Sequence, residues 1–146
     1  MSELAMGETK AKAPWHLWLA GVLSLLWNAS GAWVIMSAQS GAPMDMDATE
    51  IAYYASQAPW FVAVTDVVLI SAVLAAIALL LRSRWAVDLY GLSIAGIAVT
   101  GAYDIAQGTA LLLQDQGWLI LECVTVCLAI AQFAYAIAMR KRGVLS

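Results

Sequence analysis

Charged residues are scarce in this chain of 146 residues: 12% are Asp, Glu, Lys or Arg, whereas 63% are hydrophobic. A soluble domain has about 25% charged residues, so this chain has too little polar material to cover a water-soluble globule. Roughly 20 consecutive apolar residues cross a bilayer as an α-helix, and the chain has room for four such segments and no soluble catalytic module. We therefore expect a single membrane domain over residues 1–146.

Residues on which much membrane-bound chemistry depends are also rare. The single histidine, His16, is too few for bis-histidine haem or for a His-Glu-x-x-His zinc site. No lysine lies within an apolar segment, which excludes a retinal Schiff base. There is neither a Gly-rich phosphate loop nor a basic patch with interleaved aromatics for nucleic acid. The sequence thus predicts no enzymatic activity, no cofactor, no metal and no nucleic-acid partner.

The chain has two cysteines, Cys123 and Cys127, and both lie within one apolar segment. Two such residues provide no disulfide framework. Their Cys-x-x-x-Cys spacing differs from the Cys-x-x-Cys spacing of thiol oxidoreductases. We interpret them as small buried packing residues of a helix, in preference to ligands of a soft metal ion.

Four apolar segments are predicted as transmembrane helices. A tryptophan stands at or next to the start of each segment, as is typical of side chains at the membrane interface. The first segment is longer than the apolar core of a signal peptide, so we expect it to be retained as a membrane anchor. The predicted spans are residues 15–38, 59–81, 85–106 with a continuation to 113 left open, and 118–139.

The segment between the first two spans has the pattern of a turn followed by a short helix. Ser40-Gly41-Ala42-Pro43 is a cluster of turn residues. Asp47 and Glu50 have the spacing of a capping box, in which each side chain bonds the backbone of the other residue. The aromatic residues that follow favour a short helix lying on the membrane surface.

Basic residues predict the orientation, because short loops rich in Lys and Arg stay in the cytoplasm. All seven basic residues lie before the first span, between the second and third, or after the fourth: Lys10, Lys12, Arg82, Arg84, Arg140, Lys141 and Arg142. We therefore expect a multi-pass protein of the bacterial inner membrane with both termini in the cytoplasm. The expected fold is all-α, an antiparallel up-and-down four-helix transmembrane bundle with a short surface helix in the first periplasmic loop.

Polar residues inside the spans are the most informative, because a charge at the bilayer centre costs about 2.5–3.5 kcal/mol. By helix rise, Asn28, Asp66, Asp104 and Glu122 all fall in the outer half of the membrane. Polar and small residues also recur at helical spacing along the first, third and fourth spans, which favours inward faces. The second span lacks such a stripe, so the inward position of Asp66 has the least support.

Two interpretations of these acidic residues stay open, since no Lys, Arg or His lies well inside any span. Asp66, Asp104 and Glu122 can line a periplasm-facing cavity that binds a proton, a cation or a polar solute. Alternatively, they lie close enough to the outer surface to remain hydrated and to solvate helix ends. Convergence of the carboxylates would favour the first interpretation, and carboxylates turned towards the headgroups would favour the second.

Several segments resemble a known group of proteins. They are PWHLW over residues 14–18, LLWN over 25–28, GA over 31–32, EIAYY over 50–54 and LRSRWAV over 81–87. The chain resembles small, poorly characterised four-span proteobacterial inner-membrane proteins, sometimes labelled sugar-transporter-like. The resemblance implies four spans and a structural or ligand-contacting role for Trp27 and Asn28. Members of this group carry an amide near the position of Asp104, from which this chain departs.

Two functions are compatible with these patterns. The first is a small transporter or binding protein for a polar solute or cation, with ligand-binding residues Trp27, Asn28, Asp66, Asp104 and Glu122. The second is a noncatalytic accessory or assembly subunit of a larger membrane complex. Four helices enclose little volume, so a homo-oligomer is the expected working unit of a transporter.

Overall fold

A computed structural model describes residues 11–41, 45–109 and 116–146 of the chain. Over these residues the protein is entirely helical, which confirms the predicted all-α class. The helices are α1 (Trp15–Gln39), α2 (Ala48–Ser56), α3 (Pro59–Leu80), α4 (Trp85–Gln107) and α5 (Gln116–Lys141). Of these, α1, α3, α4 and α5 are each long and apolar enough to cross a membrane, which indicates a multi-pass membrane protein.

The helix ends follow from local sequence. The α3 helix begins at Pro59, whose fixed φ and missing N–H suit the first turn of a helix. The α4 helix ends at Gln107, because Gly108 adopts a left-handed conformation with φ of 67°. Residues 110–115, over which the third span was left open to continue, lie outside the described residues.

The predicted capping box at the start of α2 is confirmed. The Asp47 carboxylate accepts hydrogen bonds from the N–H groups of Thr49 and Glu50, at 2.7 and 2.8 Å. The Glu50 carboxylate accepts in turn from the N–H of Asp47, at 2.9 Å. These bonds pair N–H groups that would otherwise lack a partner at the helix start, so this short helix has a fixed N-terminus.

The long helices pack in the order α1, α3, α4, α5, and each close contact involves a small residue. Gly21 of α1 lies against Leu80 of α3, and Gly96 of α4 lies against Val68 of α3. Gly91 of α4 faces the ring of Phe133 on α5. Small residues let membrane helices approach closely. Among the described residues, the backbones of α1 and α5 approach each other less closely, so side chains span the space between them.

Both ends of the described chain meet at the turn between α3 and α4. Arg82 lies in this turn with a positive φ of 58°, which is unusual for a residue other than glycine. Its guanidinium donates to the carbonyls of Ala11 and Val144, and its own carbonyl accepts from the N–H of Ser146. The N–H of Ala11 also donates to the Gly143 carbonyl. Arg82 therefore connects three segments of the chain.

The largest cluster of buried side chains lies near this turn. Val144 and Leu145 follow α5 and are buried in the cluster, although the sequence gave no sign that residues beyond the fourth span would pack inside. The same cluster contains side chains from the four long helices, among them Leu17, Leu79, Tyr90 and Met139. The described residues are thus most tightly packed at the end that carries the basic turn.

The outer surface of the long helices is apolar. Large side chains such as Trp33 and Ile105 are 74% and 83% exposed, which is typical of a surface covered by lipid or by another chain. Cys123 and Cys127 also lie on this surface. The interpretation of both cysteines as buried packing residues is therefore wrong, because they lie on the face of α5 that points away from the other helices.

Candidate functional site

A cavity of about 410 Å³ lies between the long helices, at the end of the molecule that carries α2. Side chains from α1, α3, α4 and α5 form its walls, and α2 and the residue after it complete the lining. The polar residues in its wall are Asn28, Ser30, Tyr53, Tyr54, Gln57, Thr65, Tyr90, Ser93, Thr100, Asp104, Glu122, Thr125 and Gln132. A cavity of this size suits a small molecule.

Four of the five residues proposed from the sequence line this cavity. Trp27 and Asn28 come from α1, Asp104 from α4 and Glu122 from α5. These helices bring the residues together because the polar stripes of α1, α4 and α5 face inward, as their spacing predicted. Asp104 and Glu122 lie on different helices and are both part of the wall of this one cavity. Their common location favours a shared cavity over separate hydrated helix ends.

The fifth residue, Asp66, is not part of the cavity wall. Its neighbour Thr65 faces the cavity instead, and successive residues on a helix point in directions about 100° apart. The Oδ1 atom of Asp66 is buried and has no hydrogen-bond partner in the described part of the chain. The α3 helix therefore contributes the polar residue Thr65 to the cavity wall, and not Asp66 as expected from the sequence.

An amide pair bridges the space between α1 and α5. The Asn28 Nδ2 atom donates to the Oε1 atom of Gln132 at 3.1 Å. The same nitrogen lies 3.5 Å from the carbonyl oxygen of Ala72 on α3. Hydrogen bonds between helices in an apolar environment fix their relative positions. This pair therefore connects three helices across the wall of the cavity.

Asp104 is held by two hydroxyl groups. The Tyr53 hydroxyl of α2 donates to Asp104 Oδ1 at 3.1 Å. The Thr109 hydroxyl, just after α4, donates to the same oxygen at 2.9 Å. Hydrogen bonds to a charged acceptor are stronger than neutral ones, so these contacts hold α2 over the end of α4.

Glu122 is placed differently, although it lies on the same cavity. None of the described residues donates a hydrogen bond to its carboxylate, and the charge of Asp104 lies nearby. No Lys, Arg or His is found in the described wall of the cavity. The two carboxylates thus give the cavity an acidic lining without a basic side chain to balance it.

The two tyrosines of α2 are neutral hydrogen-bond donors at physiological pH. Burial raises the pKa of Tyr53 well above its usual range, and the negative charge of Asp104 raises it further. Burial also raises the pKa of Tyr54, with smaller contributions from the charges of Glu50, Asp104 and Glu122. A negative charge on either phenol would lie beside existing carboxylates, so the protonated form is favoured.

Aromatic side chains also contribute to the cavity wall. The rings of Trp27, Tyr53, Tyr54, Phe61 and Tyr90 belong to four different helices and line the cavity together. A smaller pocket of about 190 Å³ adjoins it and shares four wall residues, Tyr53, Gln57, Phe61 and Asp104. The described residues contain no group of three or more His, Cys, Asp or Glu side chains arranged to hold a metal ion.

Sequence reasoning missed the contribution of α2 and of the aromatic rings. The capping box marked α2 as a helix, but nothing local shows where its tyrosines dock. Likewise, no polar stripe in the sequence identifies Gln57, Phe61 or Tyr90 as part of the cavity wall. The spacing of Tyr53 and Gln57, one helical turn apart, is the only local signal that these two residues share a face.

Comparison with protein-family models, curated proteins and solved structures finds no match for this chain. The resemblance to small four-span proteobacterial proteins therefore stays a prediction. The chemistry of the cavity is the basis on which a function can be proposed.

Proposed function

We propose that this is a four-span protein of the bacterial inner membrane that binds, and in an oligomer transports, a small polar or cationic solute. The observation that carries the proposal is the cavity itself. Polar side chains from all five described helices meet in one space of about 410 Å³, and Asp104 and Glu122 are both part of its wall. Intramembrane carboxylates are costly, and a bound solute is one way to offset that cost.

The proposed orientation places the cavity towards the periplasm. Arg82 and Arg84, together with the basic residues in the last turn of α5, lie at the opposite end from α2. Basic segments stay in the cytoplasm, which supports cytoplasmic termini for an antiparallel up-and-down bundle. Contacts between residue pairs such as Gly21 with Leu80 and Gly96 with Val68 support opposite directions of neighbouring helices. In this arrangement α2 lies at the periplasmic surface.

A binding screen tests the proposal on the full chain in lipid nanodiscs. The screen measures the thermal stability of the protein with neutral sugars, zwitterionic amino acids, organic anions and organic cations. At least one class should raise the melting temperature of the wild type and leave the double variant Asp104→Asn, Glu122→Gln unaffected. The control is Asp88→Asn, because Asp88 is exposed, lies at the other end of α4 and pairs with Arg140 at 4.0 Å. If no solute class stabilises the wild type, the proposal fails.

The exposure of α5 favours a second candidate, an accessory subunit of a larger membrane complex. In the apolar segment of α5, 6% of the residues are buried, against 33% in the apolar segment of α3. This helix therefore has the most apolar surface available for another chain. Extraction in mild detergent should then recover the protein with a stoichiometric partner. Recovery of the protein alone or as a homo-oligomer, with no membrane complex altered in a deletion strain, would contradict this candidate.

A further inference from the structure

We propose that the solute is a small organic cation, a protonated or quaternary amine with an apolar part, whose charge is paired with Glu122 in a cavity that has aromatic side chains in its wall. This inference rests on the proposed function, since it names the class of solute that the cavity binds. Charge, size, ring content and unpaired hydroxyl groups each support it separately.

The charge of the cavity favours a cation. Two carboxylates, Asp104 and Glu122, face a space whose described wall has no basic side chain. In a low-dielectric environment, neighbouring carboxylates repel each other, so either one of them takes up a proton or a positive charge lies beside them. An anionic solute would increase the repulsion, and a neutral solute would leave it unchanged. A single positive charge lowers it.

The size and composition of the wall favour an organic cation over a metal ion. A bare ion fills a small fraction of about 410 Å³, and no metal-binding group is found among the described residues. Much of the wall is apolar, with Val34, Ile97 and Leu121 contributed by three helices. Hydrocarbon surface of the ligand is buried favourably against such residues. The solute therefore combines a positive charge with an apolar body.

The aromatic rings suit the positive charge directly. Trp27, Tyr53, Tyr54, Phe61 and Tyr90 line the cavity, and the face of an aromatic ring attracts a cation. This attraction reaches about 2 kcal/mol or more when the cation is removed from water, and quaternary ammonium groups are bound in cages of this composition.

Unpaired polar groups in the wall point to a ligand with a polar head. Tyr90 is 2% exposed, and its hydroxyl lies near Ser24 but has no hydrogen-bond partner of acceptable geometry in the described structure. The buried Thr65 hydroxyl and the Oε1 atom of Gln57 also lack described partners. All three residues line the cavity. Buried polar groups are almost always paired, so a bound ammonium or hydroxyl is a suitable partner.

The two carboxylates have different roles in this proposal. Asp104 already accepts from Tyr53 and Thr109, so it positions α2 and its ring over the cavity. Glu122 accepts no hydrogen bond from a described residue, so it is the group available to pair with the cation. Neutralising Glu122 should therefore weaken cation binding more than neutralising Asp104.

The experiment uses the full chain in nanodiscs and calorimetric titration with three organic cations of increasing size: choline, tetraethylammonium and phenethylammonium. At least one should bind. If choline binds, its neutral isostere 3,3-dimethylbutan-1-ol should bind about tenfold or more weakly. For any cation that binds, Glu122→Gln should weaken binding about tenfold or more, Asp104→Asn by less, and Asp88→Asn should leave it unchanged. Tyr53→Phe should weaken binding in the wild type but add nothing to Asp104→Ala, because both changes remove the hydrogen bond between Tyr53 and Asp104.

The possible results separate failure of the cation assignment from failure of the proposed function. Unchanged cation affinity in Glu122→Gln, or equal affinity for choline and its isostere, overturns the proposal. If none of the cations binds while glucose or an amino acid binds and is lost in Trp27→Ala, the proposed function stands and the cation assignment fails. If no solute binds at all, both fail. Helical circular dichroism and a single elution peak for each variant exclude loss of folding as the cause.

Discussion

Among the described residues, a small number of side-chain hydrogen bonds join different helices, and each fixes the relative position of the two helices that it connects. Asn28 bonds Gln132 across the gap between α1 and α5, His16 Nδ1 lies 2.6 Å from the Tyr135 hydroxyl between the same two helices, and Tyr53 bonds Asp104 between α2 and α4. None of these pairs can be inferred from sequence separation. In an apolar environment such bonds contribute about 0.6–2 kcal/mol each, so they can be tested one at a time.

The Asn28→Ala variant should lower stability. It removes the donor to Gln132 and leaves that amide without its partner on α1, so we expect a loss of about 1 kcal/mol. The measurement is the unfolding free energy in mixed detergent micelles, followed by helical circular dichroism. The matched control is Ser30→Ala on the same helix, because the Ser30 hydroxyl bonds only the Trp27 carbonyl of its own turn. Equal stability of the two variants would contradict a structural role for the amide pair.

The raised pKa of Tyr53 predicts a particular dependence of stability on pH. Since the folded-state pKa lies above the ordinary value of 10.0, the stabilisation is complete below pH 10 and declines as the pH rises above it. The wild type should therefore lose stability above pH 10, and Tyr53→Phe should lose less over the same range. Absorbance at 295 nm should show that the variant lacks the last phenol to ionise. A phenol at position 53 that titrates at its ordinary pH would disprove the burial beside Asp104.

At the scale of the element, the sequence predicted each helix but only part of the site. The four apolar segments and the capping box of α2 were recognisable because hydropathy and capping are local properties. The inward faces of α1, α4 and α5 were recognisable from polar stripes. The α3 helix has no polar stripe, so the sequence could not tell Thr65 from Asp66 as the residue facing the cavity. The docking of α2 depends on a long-range contact with Asp104, for which no local pattern exists.

The contact between α3 and α4 depends on a glycine. A Cβ atom at Gly96 would collide with the Val68 side chain, whereas a Cβ atom at Gly101, also on α4, would have no atom within 4 Å. Gly96→Ala should therefore push α3 and α4 apart and lower stability by about 1–3 kcal/mol. Gly101→Ala should be neutral or slightly stabilising, because alanine favours a helix more than glycine does. Detergent unfolding of the two variants tests this, and a neutral Gly96→Ala would contradict the close packing.

At the scale of the whole molecule, one end is tightly packed and the other contains the cavity. At the packed end, the Arg82 guanidinium donates hydrogen bonds to the carbonyls of Ala11 and Val144, while α2 covers the other end. Most of the buried cluster thus lies away from the polar residues of the cavity, although Tyr90 belongs to both.

The Arg82→Ala variant should destabilise the whole molecule. It removes two charge-assisted hydrogen bonds that hold the segments before α1 and after α5, so we expect a loss of about 2–4 kcal/mol. Arg84→Ala is the matched control, because Arg84 is exposed and no side-chain hydrogen bond of it is found among the described residues. Thermal unfolding in nanodiscs should show a lower midpoint for the first variant only. Solute binding by folded Arg82→Ala protein should be unchanged, since the cavity lies at the other end.

The most direct test of the account is the chemical accessibility of the cavity wall in right-side-out spheroplasts. Thr125→Cys, in a background of Cys123→Ala and Cys127→Ala, introduces a thiol beside Glu122, and Ile130→Cys provides a control on the outer surface of α5. A cationic, membrane-impermeant methanethiosulfonate should modify the Thr125→Cys thiol faster than its anionic counterpart, and neither should modify the control. Adding Asp104→Asn and Glu122→Gln should abolish the preference for the cationic reagent. No reaction from outside, or equal rates for the two reagents in the presence of both carboxylates, would contradict an acidic cavity that opens to the periplasm.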